Sequence, residues 1–138
     1  MVILKKGQIS TEYLIVIGFV TFLIIGVLGV AFFYTGGVSD RIKVDQVENY
    51  AKKIISSAES VFYSGQPSRV TINAYLPSGV ENLEIEDNSL RITYTTNSGT
   101  NTVSYSSNVP IQGSLSSNSG VKKINVVASA NTVQLSES

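Results

Sequence analysis

Residues 5–34 read KKGQISTEYLIVIGFVTFLIIGVLGVAFFY, and this stretch decides the fold. From Tyr13 to Tyr34 no residue is charged, and Thr21 is the main polar interruption. Wound as an α-helix, those residues span roughly 33 Å, about the hydrocarbon thickness of a bilayer. The run is apolar on every face, so it is not the one-sided helix of a soluble core. Tyr13 at one end and Phe32, Phe33 and Tyr34 at the other suit the two aromatic belts of a membrane span. Lys5 and Lys6 precede the run, and charge next appears at Asp40 and Arg41. The lysines are therefore expected on the cytoplasmic side and the C-terminal bulk outside. An ordinary removable secretory signal fits poorly, because the run exceeds the usual 7–15 residues and no A-x-A site follows.

The rest of the composition limits the chemistry. The chain has 138 residues, 10 Lys+Arg, 10 Asp+Glu and no His, Cys or Trp. That length is about one domain's worth. Zero net charge gives no footprint for nucleic acid. Without His and Cys, the usual zinc, haem and iron–sulfur sites and the Ser-His-Asp triad are excluded. No Gly-rich phosphate loop and no supported carboxylate pair is present, so the reading is a non-enzyme without a cofactor.

The segment upstream of the apolar run is the specific signal. Lys5-Lys6-Gly7-Gln8-Ile9-Ser10-Thr11-Glu12 sets a carboxylate, Glu12, against the start of a spanning helix. An acidic group at the edge of a membrane helix is a functional hypothesis by default. Its simplest role is a favourable charge at the helix N-terminus, worth about 0.3–1 kcal/mol, with Ser10 and Thr11 as cap residues. The stretch also resembles the class III signal peptide of archaeal type IV prepilins. In that family a basic leader ends in Gly, and a membrane prepilin peptidase cuts after it. The mature chain then opens Gln-x-Ser-x-Glu ahead of the apolar helix. Gln8, Ser10 and Glu12 match this start, and Gly7 takes the last leader position. Val16 stands where many members carry Leu. The resemblance covers about the first 35 residues.

Several expectations come from that resemblance. Cleavage between Gly7 and Gln8 removes Lys5 and Lys6 and leaves the apolar helix on the mature chain. It frees the Gln8 α-amine, unless Gln8 cyclises. Glu12 then pairs with that amine, on its own chain or a neighbour. The implied function is a structural subunit of an archaeal type IV pilus-like surface filament serving adhesion. The implied partners are copies of itself, the prepilin peptidase, an assembly ATPase and a membrane platform protein. The precursor would reside in the cell membrane, and the assembled filament outside the cell. The alternative is a non-polymeric, single-span anchored surface domain, or an archaellin-like subunit.

Downstream, Gly36-Gly37 predicts a kink or a short melted turn. Gly18, Gly26 and Gly29 suit close helix packing. A second helical period runs from about Ser39 to Ser64. Its apolar face comprises Ile42, Val47, Tyr50, Ala51, Ile54, Ile55, Ala58, Val61 and Phe62. Gly65 and Pro67 suit its stop. From residue 69 the period becomes two: Val70-Ile72-Ala74-Leu76, Leu83-Ile85, Leu90-Ile92-Tyr94, Val103-Tyr105, Ile124-Val126-Ala128 and Val133-Leu135. Turn signals at 77–79, 87–88, 97–99 and 116–120 separate these runs. An antiparallel meander or small sandwich is expected, layered on the amphipathic helix. The acidic cluster Glu81, Glu84, Glu86 and Asp87 lacks the EF-hand spacing and reads as a solvated strand face. Hydroxyl-rich strands such as Thr93–Thr96 leave O-linked sugar open, and no Asn-x-Ser/Thr sequon occurs.

The expected architecture is thus α+β and pilin-like: a long N-terminal apolar helix kinked near Gly36-Gly37, then a small β-rich head. Its parts are a leader at 1–7, a filament-core or transmembrane helix at 8–35, an amphipathic helix at 36–65 and the head at 66–138.

Overall fold

A computed structural model describes residues 4–138, with side chains from residue 10 onward. The chain is one long apolar-led helix followed by a small, mostly antiparallel β head. Helix α1 covers Leu4–Ser64. The strands are β1 (Arg69–Leu76), β2 (Val80–Glu86), β3 (Ser89–Thr96), β4 (Gly99–Ser106), β5 (Ile111–Ser114), β6 (Gly120–Ala128) and β7 (Val133–Glu137). Two compact units divide the chain, residues 1–38 and residues 39–138. The second half of α1 therefore belongs to the same unit as the strands.

The melted turn expected at Gly36-Gly37 does not form, because both residues are helical. Two glycines cost about 1 kcal/mol each against Ala, and long helical flanks can carry that. The helix stops where expected. Gly65 takes φ 75°, and its N–H bonds the Phe62 carbonyl, closing the last turn in the left-handed conformation that glycine adopts freely.

The strands form two sheets. One is four-stranded in the order β1-β6-β7-β5, and the other is three-stranded in the order β2-β3-β4. The second is the expected meander. Asp87 and Asn88 both take positive φ, so the β2–β3 hairpin turns on two residues with Glu86 opposite Ser89. The first sheet is not a meander, and its β5 runs parallel to β7. A parallel neighbour cannot be reached by a tight turn, so the chain passes through β6 before returning beside β5. Gly113 makes this pairing possible. A Cβ there would lie 2.0 Å from the Leu135 carbonyl oxygen, and its φ is 135°.

The period-two residues meet in a single core. Ala74, Leu76, Leu83, Leu90, Ile92, Tyr94, Ile124, Val126, Ala128, Val133 and Leu135 are buried together with Val47, Tyr50, Ala51, Ile54, Ala58 and Val61 of the helix. The helical contributors recur every three or four residues and make one narrow stripe. Ile42 departs from the expected face and is 51% exposed. The helix first engages the strands at Asp40 and Lys43, through polar contacts on another side of the turn. Ile55 and Phe62 are half-buried at the flanks.

The helix fills the gap between the two free sheet edges. One groove, about 250 Å³, runs between Gln46, Asn49, Lys53 and the β1 residues Ala74 and Tyr75. Another, about 640 Å³, runs between Lys52, Ile55, Ser56 and the β4 residues Ser104, Tyr105 and Ser106. Strands β5 and β2 lie side by side where the sheets meet. Round the core the order is therefore helix, β1, β6, β7, β5, β2, β3, β4 and back to the helix.

Candidate assembly surface

Every large hydrophobic side chain from Tyr13 to Tyr34 is exposed, from 47% at Ile17 and Val20 to 85% at Phe33. An 18-residue window of this helix passes the length and composition test for a membrane span with none of it buried. A run of apolar surface this long marks contact with lipid or protein, since monomeric soluble proteins rarely expose apolar patches above a few hundred Å². Thr35 Oγ1 donates to the Ala31 carbonyl at 2.9 Å, which spares the hydroxyl from facing hydrocarbon unpaired. Phe33 and Tyr34 meet edge to face at 6.4 Å. A Cβ added at Gly18, Gly26, Gly29 or Gly37 would meet nothing within 4 Å, so no contact within the chain requires glycine there.

The sequence-derived site residues lie at the start of this helix. Ser10, Thr11 and Glu12 are helical and exposed, and Glu12 makes no ion pair among the described residues. Lys5, Lys6, Gly7 and Gln8 have helical backbone, but their side chains lie outside the described part of the structure. The expected pairing of Glu12 with the Gln8 amine and most of the 1–7 leader fall there too.

In the head, three polar clamps tie the helix to the strands. Asp40 accepts from the Asn97 N–H and the Ser98 hydroxyl, both at 3.0 Å. Lys43 Nζ donates to the Thr95 carbonyl at 2.8 Å. Glu59 Oε1 accepts from the Asn108 N–H at 3.1 Å and its side-chain amide at 2.9 Å. In the sequence Asp40 and Glu59 stand at positions outside the apolar face of the second helical period. Their spacing gives no hint of the loops they cap, about fifty residues downstream.

The head also buries a cation that sequence reading missed. Lys122 is only 6% exposed and pairs with Glu137 at 2.8 Å, with the Ser116 hydroxyl as a second partner. The signal was present. Lys122 shares the parity of Ile124, Val126 and Ala128, so alternation alone turns it inward. Its aliphatic stem covers the core while the ammonium reaches the sheet end. The Lys122 hydrogen bond holds the Glu137 carboxyl below its ordinary value. One buried side-chain polar atom among the described residues has no partner, the Tyr50 hydroxyl.

The acidic cluster does not converge. Glu81 accepts from Thr95, Glu84 from Asn82 and Glu86 from Arg91. No group of three or more metal-ligating side chains gathers among the described residues. Comparison with known protein families, characterised proteins and solved structures gives no match.

Proposed function

We propose that the chain is the structural subunit of a surface filament of the archaeal type IV pilus kind, made as a membrane precursor and polymerised through residues 8–35 for surface attachment. One observation carries the reading. A 22-residue apolar segment, exposed on all sides, continues helically into a folded head with its own complete core. The head's core is complete in itself, and a long exposed apolar surface of this kind calls for lipid or protein to cover it. Lipid is the partner before assembly and copies of the same segment are the partner after it. The apolar surface is already out of water in the membrane, so extraction needs an external energy source, the role of an assembly ATPase and platform. The Gly7–Gln8 junction favours filament over plain anchor, because a permanent anchor has no use for a clipped leader or for Glu12.

The test is peptide mapping of the native protein together with electron microscopy of the cell surface. The expected result is a mature N-terminus at Gln8, free or cyclised, in filaments. Intact Met1 on evenly dispersed membrane monomers supports the single-span anchored domain instead. Glu12→Ala should leave cleavage intact and lower filament yield; unchanged filament numbers in that variant would end the pairing role.

A further inference from the structure

We infer that successive heads in the filament join through two different faces, the outer surface of β1–β6 on one copy and the outer surface of β2–β3 on the next. This rests on the filament reading and adds to it the head contact.

The outer face of β1 and β6 is unpartnered and mixed in character. Tyr75 stands opposite Val121, and Arg69 opposite Val127. Tyr75 is 50% and Val121 75% exposed, so apolar area faces water on a sheet surface. Two cations, Arg69 and Lys123, flank it, and neither makes an ion pair among the described residues. The outer-facing residues of these two strands include no carboxylate. The β2–β3 face has the opposite sign. Glu81, Glu84, Glu86 and Asp87 are exposed there against one guanidinium, Arg91, whose one ion pair among the described residues is with Glu86.

One head cannot bring these faces together, because β7 and β5 stand between them round the core. Two ladder steps of about 4.8 Å separate β6 from β5, and β2 lies beyond the junction of the two sheets. Two copies can. A contact between unlike patches leaves one patch free on each end copy, so it repeats along a chain of subunits wherever its rotation closes no ring, which a symmetric contact cannot do. Opposite charge would set its register, and the Tyr75–Val121 strip would supply its dry centre. An anionic lipid surface could also attract Arg69 and Lys123, but it would be indifferent to Glu81 and Glu84.

The chain has no cysteine, so introduced thiols report this contact cleanly. Full-length protein carrying both Lys123→Cys and Glu84→Cys, oxidised in cell membranes and in isolated filaments, should give a ladder of covalent dimers, trimers and higher multimers. Each single variant should stay monomeric. The two thiols within one chain are too far apart to join, since a disulfide needs Cα atoms within about 7 Å. Dimers from Lys123→Cys alone would show a symmetric contact and overturn the inference, as would a double variant without a ladder. If the wild-type chain makes no filaments, the filament reading falls, and the ladder in membranes still judges the contact.

Charge reversal gives an independent arm. Arg69→Glu with Lys123→Glu, or Glu81→Lys with Glu84→Lys, should each cut filament yield roughly tenfold by setting like charges together. Co-expressing the two variants, or combining all four changes, should restore it. Loss in the first variant without loss in the second would point to lipid and overturn the head-to-head contact.

Discussion

The two halves of one helix treat their apolar residues in opposite ways. Between Tyr13 and Tyr34 the hydrophobic side chains surround the axis, and all the large ones are exposed. Between Val47 and Val61 they occupy one stripe, and that stripe is buried under seven strands. The backbone is the same α-helix throughout. What differs is angular distribution. A stripe matches a partner with one face, which the chain itself provides. A full circumference matches only an environment present on all sides, such as hydrocarbon or a bundle of like helices. The comparison teaches that the distribution of apolar residues around a helix tells whether its partner is internal or external.

The comparison breaks most sharply at the centre of the buried stripe. Ile54 is fully buried. Ile54→Ala should cost about 2–5 kcal/mol of head stability, measured by chemical denaturation of the full chain in lipid nanodiscs, and leave membrane insertion unchanged. The mirror experiment is Ile24→Arg. It should oppose insertion by about 2.5–3.5 kcal/mol, seen as protein shifting out of the membrane fraction, with head stability unaltered. If either substitution moved both readouts, the two halves would not be independent.

A smaller effect tests the buried ion pair. Because Glu137 has a lowered carboxyl pKa in the folded state, its contribution is complete above the ordinary value of 4.5 and is lost as pH falls through the folded value. Glu137→Gln should cost roughly 1 kcal/mol at neutral pH, less than a fully buried pair because the Glu137 end reaches water. Its stability should also vary less with pH on the acid side, in melts recorded across that range. The smallest effect is expected at Tyr50, whose hydroxyl is buried without a partner. Tyr50→Phe should be neutral or stabilise by about 1 kcal/mol, since it removes a desolvated group that bonds nothing.

Much of the fold was legible because burial follows period. Alternation from Ile72 to Leu135 identified the inner faces of the strands, whereas Val70, of the same parity at the start of β1, is 39% exposed; the 47–61 stripe was readable at helical spacing. Ile42 was misassigned because it lies round the axis from the stripe that Asp40, Lys43, Val47, Tyr50 and Ile54 share at three- and four-residue steps. The strand order was not legible. β5 is four residues long, and its parallel seat beside β7 depends on Gly113 lying against a carbonyl 22 residues away. The clamps at Asp40, Lys43 and Glu59 were hidden for the same reason: a side chain's distant partner leaves no local mark.

By itself the sequence determined the location of the apolar segment, its fitness for lipid by length and composition, and the alternating faces of the head. These depend on composition and on periods of 3.6 and 2, which are properties of neighbouring residues. Only the tertiary structure decided that Lys122 is buried against Glu137 and that cations and carboxylates collect on separate faces of the head. Those outcomes depend on contacts between residues far apart in the chain, whose energies exist only once the strands have met.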